Sequence, residues 1–401
     1  MTEQEQEWAR ATFMKTRKAG THMVAVSHLW MDCIGLALGG AAALYSMMAL
    51  LAVFTRGGSR RSAPRYLPAV TILKPLCGIE PETYGCLRSF CDQDYPEFQI
   101  VFGVSHEADP AVALVRRLQR EFPALALDLV VDRQRHGSSN KVSNLINMMA
   151  RARHDFLVLA DSDVRVQRDY LARVIAPLLN GGVGIVTCAY RGEAAAGVWS
   201  ALGCAFINEW FIPSVCVAAM AGSRAFAFGA TIALRREVLS NIGGFAAIVN
   251  QLADDYRLGE LTRRLGLRTV LSEVVVDVCV SERSIAGLMQ HELRWLRTIR
   301  ALQPLGYGFS FVTCGVPVAT LGTLLAGGMT SALVLLGVTV VARIALHLKT
   351  RRSGAVALQL LLMPARDLLT LGLWSWSFVT RRVRWRNDDY LVARDGSVLP
   401  V

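Results

Sequence analysis

Hydrophobic positions fall into two regimes along the chain. Long apolar blocks at 29–54, 309–348 and 355–378 flank a region where short apolar runs alternate with helix-periodic segments. About 20 apolar residues span a bilayer core, so the long blocks are expected to lie in a membrane. Residues 1–28 are polar and mixed in charge, and they read as a loose tail or an interfacial helix. No cleavable signal is expected, because the first apolar block starts late and is too long for a signal core. Block 309–348 exceeds one span and has Gly327–Gly328 inside it, which predicts a membrane hairpin. Block 355–378 carries Arg366 and Asp367 at its middle, a costly placement in lipid. Either these residues face a helix bundle or the segment is re-entrant, and basic runs on both of its sides favour re-entry. Residues 379–401 are expected to form a basic tail.

The alternating region is expected to be a catalytic domain over 68–302. Apolar runs at 69–76, 98–105, 125–132 and 156–160 read as strands, and 83–91, 111–121 and 136–152 read as helices between them. That alternation predicts an α/β fold, with a mostly parallel sheet covered by helices on both faces. A helix over 169–179 and a strand over 181–192 follow. Residues 199–222 are apolar but interrupted by Asn208, Glu209 and Pro213, which suggests a pair of amphipathic helices near the bilayer. A strand and helix are expected over 225–245 and a helix over 251–266. An edge strand or hairpin over 267–280 and a helix over 284–302 complete the domain.

Composition sharpens this picture. Of 401 residues 53% are hydrophobic, and the net charge is +11. The charge clusters beside apolar blocks, at Arg56, Arg60, Arg61 and Arg65, at Lys349, Arg351 and Arg352, and at Arg381, Arg382, Arg384 and Arg386. Such runs suit the cytoplasmic side of a membrane. No soluble basic recognition module accompanies them, so nucleic acid is not an expected partner. Nine cysteines include no CxxC spacing, which supports neither a zinc site nor a disulfide framework. The first strand is not followed by GxGxxG, which disfavours a nicotinamide fold.

Three acidic pairs fall where strands give way to loops or helices: Glu107/Asp109, Asp161/Asp163 and Asp254/Asp255. Ligands bind off the carboxyl ends of such strands. Asp161 and Asp163 can share a hard cation, Mg2+ or Mn2+, that in turn holds a diphosphate; a solvated Asp-Ser-Asp turn is the plain alternative. One of Glu107 and Asp109 would hold a base or ribose. Asp255 would accept a proton from an attacking hydroxyl, although acids at a helix N-terminus also favour the dipole. Lys141 either neutralises a phosphate or is solvated. Arg294 would clamp a leaving diphosphate, with Trp295 at an acceptor mouth; interfacial anchoring is the rival reading.

The blocks LKPLCGIEP (73–81), SFCDQDYPEFQIVFGV (89–104), DPA (109–111), NKVSNL (140–145), ADSDVRV (160–166), ADDY (253–256) and RW (294–295) together resemble the ceramide glucosyltransferase family, glycosyltransferase family 21. The likeness covers 68–300. HELRWLRTIRAL and RRVRWRNDDYLVARDG resemble most the bacterial branch found with hopanoid synthesis. The resemblance implies a GT-A-type fold with a mixed, mostly parallel sheet, and an inverting transfer of one sugar from a UDP-sugar to a lipid hydroxyl. The lipid would be a hopanoid such as bacteriohopanetetrol, receiving N-acetylglucosamine, or ceramide or diacylglycerol, receiving glucose. It also implies a bacterial inner membrane location, with the catalytic domain in the cytoplasm. Carried over by residue, Asp161 with Asp163 matches the central acid and Asp255 the base. His291, Arg294 and Trp295 match a Q/R-x-x-R-W block in which His291 replaces Gln or Arg, with Gln290 adjacent; the match implies catalytic roles for Arg294 and Trp295 and donor binding by His291. His106 stands where an aspartate is usual, and Asp109 is the expected substitute. These departures keep open a second class of reading, a non-catalytic membrane scaffold.

Overall fold

The computed structural model describes residues 3–56, 66–195, 197–350, 356–380, 382–385, 388–392 and 397–400. The expected cytoplasmic arginines Arg60, Arg61, Arg65, Arg351, Arg352, Arg381 and Arg386 lie outside them. In chain order the elements are α1 (Glu3–Thr55), β1 (Val70–Pro75), α2 (Thr83–Cys91), β2 (Phe98–Val104), α3 (Ala111–Glu121) and β3 (Ala126–Val131). Then come α4 (Asn140–Met148), β4 (Phe156–Leu159), β5 (Val164–Arg165), α5 (Tyr170–Ile175), β6 (Val183–Ala194), α6 (Gly197–Phe206) and α7 (Ile212–Met220). β7 (Ile232–Arg235), α8 (Arg236–Asn241), α9 (Asp254–Arg264), β8 (Arg268–Val280), α10 (Ile285–Leu302) and α11 (Pro304–Phe309) follow. The chain continues through α12 (Gly315–Leu325), α13 (Thr330–Thr350), α14 (Val356–Trp376), β9 (Arg382–Trp385), β10 (Asp388–Val392) and β11 (Val398–Pro400). Two compact units result, 1–50 with 309–371, and 51–308 with 372–401.

The larger unit is built on an eight-stranded sheet in the order β3-β2-β1-β4-β7-β6-β8-β5. It is mixed and mostly parallel; the alternation predicts its parallel part, and the GT-A-type resemblance implies the whole. Strands β1, β2, β3 and β4 run parallel, as do β6 and β8, while β7 is antiparallel to both of its neighbours. Side chains alternate across a strand, so each strand feeds two cores. Val70, Ile72, Ile100, Phe102 and Val158 pack with α2, α3 and α5 on one face. Leu73, Val101, Leu157, Ile232 and Leu234 pack with α4, α8 and α9 on the other.

Several expectations need correction. Residues 3–28 are not a loose tail, because α1 runs unbroken from Glu3 to Thr55. Segment 267–280 is neither a hairpin nor an edge: β8 is one strand between β6 and the two-residue β5. Residues 199–222 are not two helices, since α6 and α7 are joined by a π-helical turn over Ile207–Phe211. Asn208 is satisfied there, accepting from Gly192 N–H at 2.8 Å and donating to Gly192 C=O at 3.0 Å. Pro213 is the second residue of α7, and the helical backbone runs through it from the π segment without a break.

In the smaller unit α12 and α13 meet at Gly327 and Gly328, both with positive φ. A methyl on Gly35 or Gly322 would collide with the other's backbone, so α1 and α12 approach through glycines. Helix α14 continues through Pro364 without the break that re-entry requires. Its Asp367 is buried and accepts two bonds from Arg343 of α13, at 2.7 and 3.1 Å. Among the described residues three helices are long and apolar enough to cross a membrane, Ser27–Thr55, Gly197–Met220 and Thr330–Thr350. The segment Pro304–Thr313 with Gly315–Leu325 is bent by 75°.

Candidate active site

The loop Asp161-Ser162-Asp163 leaves the carboxyl end of β4 and is pinned from two sides. The Lys74 ammonium, on the neighbouring strand β1, donates to the Asp161 carbonyl at 2.5 Å and sits 3.8 Å above the Phe90 ring. From β8, Cys279 N–H donates to the Asp163 carbonyl at 2.9 Å. Antiparallel pairing of Leu159 with Ile232 sets the residues just before β7 opposite those just after β4. Gly229 therefore faces Asp161. Its N–H donates to Asp255 Oδ2 at 2.8 Å. A Cβ added there would lie 3.2 Å from Lys141 Nζ, 3.3 Å from Asp161 Oδ2 and 3.4 Å from Asp255 Oδ2. Three charged groups from three elements converge on a glycine that leaves them room.

Lys141 is aimed by the start of α4. Ser139 caps that helix, its hydroxyl accepting from Val142 N–H at 3.2 Å, and its own N–H donates to the Val249 carbonyl at 2.9 Å. The ammonium reaches Asp161 Oδ1 at 2.6 Å and Asp254 Oδ2 at 3.8 Å. Burial pulls its pKa down, but the carboxylates of Asp161, Asp254 and Asp255 outweigh that and hold it charged. Asp255 lies in the first turn of α9 and accepts from Tyr256 N–H at 2.7 Å. Burial, then the neighbouring Asp254, pushes its pKa up to about 6, against Lys141 and the two amides. Burial, then Asp161 and Glu80, pushes Asp163 up to about 7. Burial brings Lys74 down to about 8.

Helix α10 presents His291, Arg294 and Trp295 at helical spacing on one face. The other side ties α10 down: Arg297 donates to the Arg382 carbonyl at 2.7 Å, Arg300 to the Thr380 carbonyl at 3.0 Å, and Gln303 to the Tyr256 hydroxyl at 2.8 Å. His291 Nδ1 lies 2.6 Å from Glu282 Oε1, and its ring meets Trp295 edge-on at 4.7 Å. Burial pushes the Glu282 carboxyl up, but the hydrogen bond and charge of His291 together with backbone amides outweigh it and hold Glu282 below the usual carboxylate range. Burial lowers the Arg294 guanidinium, while Tyr190 and the acids Asp161, Asp255 and Asp254 act to hold its charge.

Two cavities meet at Glu80, Lys141, Asp161 and Asp163. One, of about 580 Å³, is lined by polar groups including His106, Asp109, Arg133 and Arg135. The other, of about 500 Å³, is walled by Tyr190, Phe206, Trp210, Phe211, Phe228 and Trp295 and also reaches Asp255, His291 and Arg294.

Of the residues expected from sequence, Lys141, Asp161, Asp163, Asp255, Arg294, Trp295 and His291 gather at this joint. Glu107 does not: it is exposed and lines neither cavity. Asp109 lines the polar cavity, but its carboxylate accepts from Gly78 N–H at 3.0 and 3.1 Å and from Ala111 N–H at 2.9 Å, so it staples the loop after β1 to α3. His291, expected on the donor side, stands in the aromatic cavity. Sequence reasoning missed Gly229, Lys74, Glu282, Tyr190, Arg133 and Arg135. Only Lys74 carried a signal, as a lone cation inside an apolar strand.

Among the described residues no set of three or more His, Cys, Asp or Glu gathers that could hold a metal. The Asp161–Asp163 pair nevertheless suits a hard divalent cation. Mg2+ takes one or two protein carboxylates and completes its shell with water and phosphate oxygens. Burial, Asp161 and Glu80 raise Asp163 by more than Lys74 offsets, and a cation bound there would relieve that crowding of acids.

The profile of Glycosyl transferase family 21 matches residues 35–398. A ceramide glucosyltransferase of Komagataella phaffii is 34% identical over 119 residues, 29% of this chain and 23% of that protein. Ceramide glucosyltransferase 3 of Caenorhabditis elegans is 22% identical over 242 residues, 59% of this chain and 52% of that protein. The chain thus spans about half or less of these curated relatives. In fold it is similar to the mannosyltransferase PcManGT from Pyrobaculum calidifontis, solved in complex with GDP-Man and Mn2+. That similarity has a TM-score of 0.52 at 20% identity and covers 87% of this chain and 98% of that one.

Proposed function

This chain belongs to glycosyl transferase family 21, and from that premise we propose that it moves one sugar from a UDP-sugar to a hydroxyl of a membrane lipid, with inversion. The observation that carries the reading is the convergence of Asp161, Asp255 and Lys141 on Gly229, where a polar and an aromatic cavity meet. A nucleotide diphosphate suits the polar side and the apolar body of a lipid suits the aromatic side.

The UDP moiety occupies the polar cavity beside His106, Arg133 and Arg135, with Lys141 against its phosphates. Mg2+ or Mn2+ held by Asp161 and Asp163 would supply positive charge to the donor's diphosphate. The acceptor hydroxyl enters from the aromatic side and gives its proton to Asp255. A carboxylate raised to about 6 is ionised at neutral pH and is still a better base than an ordinary aspartate. The hydroxyl oxygen forms the new bond to C1 as the bond to UDP breaks on the opposite face. Arg294, half-buried and with no carboxylate in ion-pair contact among the described residues, is placed to receive the negative charge on the leaving group.

The acceptor we favour is a hopanoid such as bacteriohopanetetrol, with N-acetylglucosamine or glucose as the sugar. A ceramide acceptor is the second reading, favoured by the ceramide glucosyltransferase relatives. The protein would sit in the bacterial cytoplasmic membrane, with blocks 29–54 and 309–348 as its spans and 68–302 facing the cytoplasm. Arg56, at the end of α1 and donating to the Ser272 carbonyl at 2.6 Å, supports that orientation. The test is purified protein in nanodiscs, with UDP release and glycolipid measured for UDP-N-acetylglucosamine and UDP-glucose against bacteriohopanetetrol, ceramide and diacylglycerol. Sugar transfer to the hopanoid is the expected result. Transfer to ceramide alone would favour the second reading, and absence of donor binding would favour a scaffold.

A further inference from the structure

Two buried thiols meet behind the Asp161–Asp163 loop. Cys86 belongs to α2 and Cys279 to the end of β8, and their sulfurs are 3.3 Å apart. Cys86 is wholly enclosed and Cys279 is 6% exposed. Both are tied to one carbonyl: the Cys86 thiol donates to Asp163 O across 3.4 Å, and Cys279 N–H donates to the same oxygen at 2.9 Å. The two sulfurs therefore flank the loop that carries the central acids. Cys279 also lines the aromatic cavity, which is the path by which a small solute would approach the pair.

We propose that Cys86 and Cys279 are a reversible oxidation site, forming a disulfide that disables the neighbouring acid loop. The oxidant is a hydroperoxide. One thiol attacks the peroxide O–O bond, becoming a sulfenic acid and releasing water when hydrogen peroxide is used. The second thiol displaces hydroxide from that sulfur, and with its proton the hydroxide leaves as a second water. Two thiols lose two electrons and two protons, and the peroxide takes them up. The fold holds the sulfurs in contact, but a bond requires them to close by about another 1 Å. That movement is imposed on the two elements that hold the Asp163 carbonyl. Misplacing a catalytic group by about 1 Å can cost on the order of 100-fold in rate. A thiol pair in a reducing compartment acts as a sensor rather than a structural staple.

The effect on turnover rests on the transferase reading; formation of the bond does not. The experiment treats the purified full chain with hydrogen peroxide, alkylates it, digests it without reductant and seeks the linked peptides by mass spectrometry. Sugar transfer is measured before oxidation, after it, and after a dithiol. The expected result is a Cys86–Cys279 linked peptide and a loss of turnover of about tenfold or more, restored by the dithiol. Cys86→Ser, which keeps a donor toward the Asp163 carbonyl, is expected to retain basal turnover and resist peroxide. No linked peptide in the wild-type protein would overturn the proposal, and that measurement needs no variant. So would a linked peptide with unchanged turnover, or equal peroxide sensitivity in Cys86→Ser. A chain that glycosylates no lipid would sink the functional reading, yet the linked-peptide measurement would still decide whether the pair oxidises.

Discussion

Gly229→Ala is the smallest change that tests the site at its centre. Gly229 does not use a positive φ, so alanine is acceptable to its backbone. The new methyl would lie 3.2, 3.3 and 3.4 Å from Lys141 Nζ, Asp161 Oδ2 and Asp255 Oδ2. These are tight rather than impossible contacts, and each neighbour must yield by a few tenths of an ångström. The fold loses little: removing glycine restricts the unfolded chain by roughly 0.4–1 kcal/mol, which offsets crowding of the same order. The chemistry loses much, because the methyl occupies the space the converging groups share. A loss of about 100-fold in turnover corresponds to ~2.7 kcal/mol of transition-state stabilisation, the scale expected when reacting groups are displaced and one is screened. The assay is the initial rate of UDP release at saturating donor, beside the thermal midpoint of each protein. Gly181→Ala serves as a control, because a Cβ there meets nothing within 4 Å. Turnover within about twofold of wild type, with an unchanged midpoint, would refute the claim that reacting atoms pass this point.

Asp255→Asn should lower turnover by about 10²–10⁴-fold; the wild-type rate should rise with pH through about 6, because the base must be ionised. A pH–rate profile checks this, and an unchanged ascending limb in the variant would rule out Asp255 as its source. Asp163 has a folded pKa near 7 against an ordinary 3.8, so the native state holds a proton that the unfolded state lacks between those values. Its contribution is therefore a stability that falls as pH rises from about 4 to 7. The ceiling is roughly 4 kcal/mol, and partial exposure brings this to about 2. In chelator, Asp163→Asn should lose that part of the slope seen in wild-type thermal midpoints, and added Mn2+ should flatten the wild-type slope; equal slopes with and without Mn2+ would contradict the cation site. Breaking the buried Arg343–Asp367 pair from one side, as Arg343→Leu or Asp367→Leu, should cost about 3–5 kcal/mol, and the double replacement should cost less than either. A double-mutant cycle on unfolding would show additive losses if the pair were uncoupled.

The fold was legible where period-two burial governs. Val70, Ile72, Ile100 and Phe102 face one core while Leu73 and Val101 face the other, so β1 and β2 stand out as short apolar runs. Polarity misled where a tertiary partner satisfies it. Asn208 looked like a helix break because nothing in the sequence says that the Gly192 backbone will take both ends of its amide. Arg366 and Asp367 suggested a break for the same reason, although Asp367 is met by Arg343. In the site, residues that bring charge could be named from their types and their place at strand ends. Glu107 failed because the strand-end rule fixes a loop's position, not which of its side chains turns inward. Gly229 stayed hidden because its role is to leave space, which only the antiparallel partner of β4 defines.

The charge pattern around Gly229 also bears on the order of events. One ammonium, Lys141, serves Asp161 at 2.6 Å and Asp254 at 3.8 Å, and it lowers the pKa of Asp255. A diphosphate that entered beside Lys141 would compete for that ammonium. Asp255 would then lose part of the field that keeps it a weak base, and its proton affinity would rise. The same donor would bring C1 within reach of the acceptor hydroxyl. Donor binding would thus strengthen the base when its electrophile arrives, and without donor Lys141 would hold Asp255 less basic and discourage idle deprotonation. An arrangement of several acids around one part-buried lysine does little for stability, because desolvation offsets much of the attraction. Its presence at the meeting of two cavities is better explained by a ligand that completes the charge than by the fold alone.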